Sequence, residues 1–316
     1  MDNQNNSITL EEAKKSLYQM SLINDFLLNS TLSDEEYGKE AARIILTTLL
    51  RQKIDVVDIT PQKVYNGLNK SKHGIRLDAY ITASSEDATK ADLYDLEAET
   101  RIEDRDTLPQ RGRYYSAIID AHHLNAGFDY DHVPTLVIIM ILSYDPFTAD
   151  DMYYEASTQL ITHPDIPYDD GIRRLFFYTK GTCNIPTEEG GSSISDMLRY
   201  IQDSHDDNVI NSEIQELDNI VSKVRRREEV SIKYMKSWEK EAILIRETTE
   251  KVTAEVTAEI TEKVHREAEE KARKDKEESA IKMLKSGITP EQAAFFIGMP
   301  VDRVKELASK MNVQDE

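Results

Sequence analysis

The change of hydrophobic period between residues 74 and 99 constrains this chain more than any other feature in it. The segment Gly74-Ile-Arg-Leu-Asp-Ala-Tyr-Ile-Thr82 alternates, with Ile75, Leu77, Ala79 and Ile81 on one side and Arg76, Asp78, Tyr80 and Thr82 on the other. Successive strand side chains point to opposite faces, so the pattern predicts a strand with one apolar face. A polar loop over 83–91 comes next. Then Leu93-Tyr-Asp-Leu-Glu-Ala-Glu99 alternates again and gathers Asp95, Glu97 and Glu99 on one face. Two such runs joined by a short loop predict neighbouring antiparallel strands.

The flanking segments read differently. Residues 8–53 carry apolar positions at helical spacing, and Ser33 followed by Glu36 resembles a capping box for the stretch holding Ile44, Ile45, Leu49 and Leu50. Helical spacing returns over 107–126, where Thr107-Leu-Pro-Gln110 supplies a start and Tyr115, Ile118, Ile119 and His122 share a stripe. The run Thr135 to Ser143 is continuously apolar between Pro134 and Asp145-Pro146, which suits a central strand covered on both faces. Residues 152–161 and 174–179 read as further strands. Together these predict an α/β domain over 1–207, a mixed sheet with helices on its faces.

The rest of the chain changes character. Residues 208–277 predict a charged helical arm, part of a stretch to 280 with almost no Gly or Pro. Val252, Val256, Ile260 and Val264 recur every four residues, which drifts by about 40° per step around a helix. A straight coiled-coil seam needs an average of about 3.5 residues, so a strict heptad is not supported. Homo-oligomerisation through a loosely packing arm stays open. Residues 278–316 predict a small module resembling a helix-turn-helix. In it Thr289-Pro-Glu-Gln292 gives an N-cap, a first-turn proline and a capping partner, and Gly298-Met-Pro300 makes the turn before a helix from Val301 to Met311. Asp302 and Glu306 dilute the charge of Arg303, Lys305 and Lys310, so DNA binding and simple packing are both open for this module.

Composition excludes several classes. Against 39 basic residues stand 59 acidic ones, a net charge of −20, which argues against coating nucleic acid through bulk charge but leaves room for a local basic groove. The single cysteine, Cys183, excludes an internal disulfide and a cysteine-based zinc site. The polar N-terminus lacks a secretion-signal pattern, and the longest apolar run, Leu136 to Leu142, is too short to span a bilayer. A soluble cytoplasmic protein without a membrane partner is the expectation.

Chemistry concentrates on the two acidic strands. Asp78 and Glu97 can meet side by side, and two converging carboxylates repel each other unless a cation lies between them. Hard oxygen ligands of this kind suit Mg²⁺ or Mn²⁺, which polarise phosphate oxygens and lower the pKa of a bound water. The bland alternative is that alternating acids merely form the solvent face of an edge strand. His122 and His123 point in different directions on a helix and make a poor metal pair, while Glu36 and Glu40 read as exposed helical acids.

Taken in order, Ile75-Arg-Leu-Asp78-Ala-Tyr80, Tyr94-Asp-Leu-Glu97-Ala-Glu99 and Gln110-Arg-Gly-Arg-Tyr-Tyr115-Ser-Ala-Ile-Ile-Asp120 carry a family likeness. With Asn24-Asp-Phe26, the run from Ile138 to Leu142 and Tyr144-Asp-Pro-Phe147, the chain over about 20–245 resembles the PD-(D/E)XK nuclease family transposases, also called recombination-promoting nucleases. The resemblance implies a restriction-endonuclease-like mixed sheet, DNA as partner, and a Mg²⁺ (or Mn²⁺) ion held by Asp78 and Glu97. It implies that Glu99 stands where the motif has a lysine, commonly a glutamine in these members. A glutamate there adds negative charge, tightening metal binding or acting as a base, or else it marks a decayed site. It places Gln110, Arg111, Arg113 and Tyr114 beside the site, where arginines can pair with phosphates. A salt-bridged surface helix explains Arg111 and Arg113 equally well, and groove-wall packing explains Tyr114 and Tyr115. Two functions are open. One is a metal-dependent endonuclease using Asp78, Glu97 and Glu99; the other is a non-catalytic remnant serving binding or assembly.

Overall fold

The computed structural model describes residues 7–66, 73–85, 92–124, 127, 129–184 and 191–312 of the 316. The chain forms two compact units, Met1–Glu239 and Lys240–Glu316.

The first unit opens with three helices, α1 (Leu10–Gln19), α2 (Asp25–Leu32) and α3 (Gly38–Leu50). Thr9 and Glu12 cap α1 reciprocally, and Asn24 caps α2 by accepting the Phe26 N–H at 3.0 Å. The capping box expected from Ser33 and Glu36 does not form. Ser33 lies in helical conformation at the end of α2 and its hydroxyl donates to Asn29 O, so it cannot serve as an extended N-cap. Asp34 takes the amides of Glu36 and Tyr37 instead, each at 3.1 Å.

Six strands come next: β1 (Ile54–Tyr65), β2 (Ile75–Ser85), β3 (Asp92–Glu99), β4 (Leu136–Leu142), β5 (Tyr153–Ala156) and β6 (Ile172–Tyr178). They form one sheet in the order β1-β2-β3-β4-β6-β5. β2 is antiparallel to both β1 and β3, whereas β4 runs parallel to its neighbours β3 and β6. The sheet is therefore mixed, as its alternating and continuous runs require. β1 is hidden at the sequence level by its charges and by Pro61, features tolerated on an edge strand. β5 is shorter than the 152–161 stretch expected, because its pairing with β6 ends at Ala156↔Arg174. Residues 86–91 of the expected 83–91 loop lie outside the described residues.

The strands carry two cores. Val137, Ile139 and Ile141 of β4 face helices α1 to α3 together with α5 (Gly191–Gln202) and α6 (Ser212–Arg225). Leu136, Ile138, Met140 and Leu142 face α4 (Leu108–His123), with Leu108, Ile118 and Ile119 packed on them. Helices thus cover both faces of the sheet. Residues 212–225 do not belong to the charged arm in which their polarity places them. They instead bury Ile214, Leu217, Ile220, Val221 and Val224 in the first core, each such side chain contributing about 1.5–3 kcal/mol. The first unit consequently runs past 207 to Glu239.

Helix α7 (Glu228–Lys285) begins in the first unit, where Val230 joins the core. The second unit holds its remainder together with α8 (Pro290–Ile297) and α9 (Val301–Asn312). Thr289 makes the expected capping box with Gln292, and Gly298 takes the left-handed conformation that ends α8 (φ 67°). A small core of Ala280, Ala293, Ala294, Val304 and Leu307 holds this module. Three of its basic residues are spoken for: Arg303 pairs with Glu277 at 2.8 Å, Lys305 with Glu291 at 2.9 Å and Lys310 with Glu306 at 2.7 Å. Val252, Val256, Ile260 and Val264 are each about half exposed. Among the described residues no helix is long and apolar enough to cross a membrane.

Candidate metal centre

β3 is the third strand of six, flanked by β2 and β4. That topology decides the state of its acids. An edge strand would turn Asp95, Glu97 and Glu99 to solvent; here all three are buried, with Asp95 at 0% exposure. They lie on the α4 side, in register with Ile138, Met140 and Leu142 of β4.

Asp78 arrives from β2. The pairing Ala79↔Leu96 and Tyr80↔Asp95 brings it beside Glu97, and its backbone N–H donates to Glu97 Oε1 at 2.8 Å. Its carboxylate Oδ1 meets two amide groups that sequence reasoning did not single out. Asn29 Nδ2 reaches it from α2 and Gln62 Nε2 from β1, each at 3.4 Å. Gln62 sits at φ 51°, a left-handed conformation in mid-strand that lets its side chain turn onto the acid. Burial raises the Asp78 pKa, with Asn29 offsetting in part.

Asp95 is the least expected member. Neither of its carboxylate oxygens meets a hydrogen-bond donor. Glu97 lies two residues along on the same strand face, and two carboxylates so placed are held together only by a shared proton or a cation between them. Burial and the Asp78 charge push the Asp95 pKa up to about 7 against the lowering pull of Glu97 and Arg111. Glu97 is raised well above the usual carboxylate range by burial and by the charges of Asp95 and Asp78. Asp78 opposes the ionisation of both Asp95 and Glu97, and Asp95 opposes that of Glu97. The site is short of positive charge.

Glu99 is in the opposite condition. Its Oε1 accepts the Arg101 N–H at 2.9 Å and its Oε2 accepts Arg111 Nη1 at 3.1 Å. Burial pushes its pKa up, but these partners outweigh burial and hold it below the ordinary value. Tyr115 stands over the acids from α4, and its hydroxyl is pushed upward by burial and then by the negative charge of Glu97.

The structure therefore brings together Asp78, Glu97, Glu99 and Arg111, while Gln110, Arg113 and Tyr114 lie on the exposed side of α4. Tyr114 donates its hydroxyl to His73 O. Arg111 turns inward, its side chain only 20% exposed. His122 and His123 take different places, as their adjacency requires. The His122 ring packs 4.8 Å from that of Tyr65, and His123 Nε2 bonds Tyr80 Oη at 2.7 Å. Glu40 and Glu36 pair with Arg43 and Arg227 away from the acids. Among the described residues no three His, Cys, Asp or Glu side chains already stand as a coordination shell. The donor chemistry still fits a hard divalent ion, because Asp95 presents two buried oxygens without a donor beside two further carboxylates.

No family model, curated protein or solved structure matches this chain. Its function is therefore read from the site itself.

Proposed function

We propose that the first unit is a restriction-endonuclease-like domain that hydrolyses DNA phosphodiester bonds with Mg²⁺ or Mn²⁺. The observation that carries this reading is the cluster of half-buried Asp78 with buried Asp95 and Glu97 on two adjacent strands, with an orphaned carboxylate at its centre. Three acids sharing one desolvated space are costly to keep without a cation, and strongly perturbed acids packed together mark functional sites more often than structural ones. The ordered likeness of residues 20–245 to recombination-promoting nucleases points the same way.

In this reading Asp78 and Glu97 hold the ion, and Asn29 and Gln62 fix the orientation of the Asp78 carboxylate. The bound ion supplies charge neutralisation at the phosphate and a more acidic water. The Asp78 amide holds Glu97 in place through the 2.8 Å bond. Gln110, Arg113 and Tyr114, exposed along α4, offer donors to the DNA backbone. Promotion of recombination or transposition would be the use to which such cleavage is put.

A second reading, a binding or assembly module descended from a nuclease, is favoured by one observation: Glu99, at the motif's lysine position, is tied up by two arginines. Nicking of supercoiled plasmid separates the two. Wild type should nick with Mg²⁺ or Mn²⁺ and stop with EDTA, and Asp78→Ala should lower the rate at least about a hundredfold while remaining folded. A folded wild type that leaves plasmid intact with both metals would overturn the nuclease reading in favour of the second.

A further inference from the structure

The departure at Glu99 has a counterpart across the site. Where a lysine on β3 would bring a cation, α4 brings one instead. Arg111 Nη1 donates to Glu99 Oε2 at 3.1 Å, and the guanidinium carbon lies 6.0 Å from the centre of the Tyr115 ring. Both side chains of the pair are largely buried, 20% exposed for Arg111 and 10% for Glu99. Arg111 Nε is buried with no hydrogen-bond partner, so the Glu99 pair does not use up the fork. The charges of Glu97 and Asp95 both act on this guanidinium. Glu99, for its part, makes a poor base, because both of its oxygens accept from arginine donors and a carboxylate stabilised as the anion has little pull on a proton.

We propose that Arg111 is the positioning cation of the acid cluster and that Glu99 is its anchor. The inference rests on the metal-dependent nuclease reading and deepens it. Arg111 is permanently charged and geometrically rigid, so once anchored it offsets part of the Asp95–Glu97 charge without competing for the ligand oxygens as a proton would. It thereby sets how tightly the cluster holds a divalent ion. Gly112 helps place it: a Cβ there would approach Arg174 Cδ to 3.2 Å, so its absence lets the turn of α4 carrying Arg111 sit close on β6. Glu99 and Arg111 thus form one unit, with the carboxylate acting only through the guanidinium.

The test uses the full chain and two readouts, Mn²⁺ affinity by calorimetric titration and plasmid nicking, with thermal melts to confirm folding. Arg111→Met removes a positive charge beside the ligands, so it should bind Mn²⁺ about tenfold tighter while nicking falls by a similar factor. Arg111→Lys keeps the charge but not the rigid fork, so it should fall between wild type and Arg111→Met in both readouts. Glu99→Gln should slow nicking, and combining it with Arg111→Met should cost nothing beyond Arg111→Met alone. Glu99→Lys/Arg111→Met, which moves the cation to the strand, should regain nicking relative to Arg111→Met. A purely structural pair would lower melting temperature and leave Mn²⁺ affinity within twofold of wild type, and that result overturns the proposal. So does a further loss of nicking when Glu99→Gln is added to Arg111→Met. Mn²⁺ binding without nicking by wild type would retire the nuclease reading, and the affinity change of Arg111→Met would still decide the role of Arg111. A folded wild type that binds no Mn²⁺ removes both.

Discussion

Asp95 sits in plain view within an alternating run of the sequence, yet its importance is invisible there. The spacing Asp95, Glu97, Glu99 fixes a shared face, but whether that face is wet or dry depends on which strand pairs beyond it. β4 lies well downstream in the chain, so local periodicity could not supply the answer. Asn29 and Gln62 were hidden for the same reason, being 49 and 16 residues from the acid they touch. Burial of Asp95 has a consequence for stability. Its folded pKa is about 7, raised by burial and the Asp78 charge above the ordinary 3.8. The folded state therefore binds the proton more readily than the unfolded chain, and the stability linked to it is present below about pH 4 and lost as pH rises through 7. Without divalent metal, unfolding free energy should fall between pH 5 and pH 8, and Asp95→Asn should remove much of that slope, gaining roughly 1–3 kcal/mol at pH 8. Urea denaturation at the two pH values in EDTA measures it, and an unchanged slope in Asp95→Asn would assign the effect elsewhere. Adding Mn²⁺ at pH 8 should stabilise wild type more than Asp78→Ala, since an ion that binds only the folded state raises stability by mass action.

Elements were legible where a face is continuous. β3 and β4 announced themselves through alternation or an unbroken apolar run, and α4 through its helical stripe. β2 was legible as a strand, but its expected single apolar face divides: Ile75 and Leu77 join the core beside α4, and Ala79 and Ile81 join the core on the other side. β1 was not legible, because an edge strand need not keep one clean face and this one carries Pro61 and a left-handed Gln62. The helix starts show a related limit. Ser33 and Glu36 have the right spacing for a cap, but α2 runs on to Leu32 and takes Ser33 as its own ending. What ties α2 to α3 is instead an absence of side chain. A Cβ at Gly38 would stand 2.4 Å from Leu32 O and 3.0 Å from Leu32 C, both backbone atoms that cannot yield without moving α2. Gly38→Ala should therefore destabilise the first unit by about 2–4 kcal/mol, although alanine ordinarily favours a helix over glycine. Because α2 also carries Asn29 to Asp78, the variant should lose Mn²⁺ affinity under conditions where it is still folded. Denaturant titration and Mn²⁺ calorimetry on one preparation test both halves; stability at or above wild type would show that α2 shifts at little cost.

At the scale of the molecule, the sequence located the change from folded domain to charged helix but placed it too early. Residues 212–225 look polar because helix α6 shows the core only one stripe, Ile214, Leu217, Ile220, Val221 and Val224, among Glu, Asp, Lys and Arg. The stripe has helical spacing and needs a partner that composition cannot reveal. Beyond Glu239 the balance reverses. Val252, Val256, Ile260 and Val264 drift through about 120° around the helix and stay about half exposed. The module after it has a buried core of three alanines, one valine and one leucine, with larger apolar side chains such as Ile281, Leu284 and Ile297 only partly buried against it. Alanine burial contributes little, on the order of 1 kcal/mol each at most, against an ordering cost of about 1–2 kcal/mol per residue. The two units should consequently differ sharply in independence. A chain ending at Glu239 keeps every buried side chain of both sheet cores, so it should unfold cooperatively within a few degrees of the full chain and retain any metal binding. Residues 240–316 alone should lose helical circular dichroism gradually with temperature, with no cooperative step. A sharp transition in that fragment at micromolar concentration that moves upward with concentration would instead reveal association along the arm. Loss of cooperativity in the chain ending at Glu239 would mean that the sheet domain depends on residues 240–316, contrary to the distribution of its core.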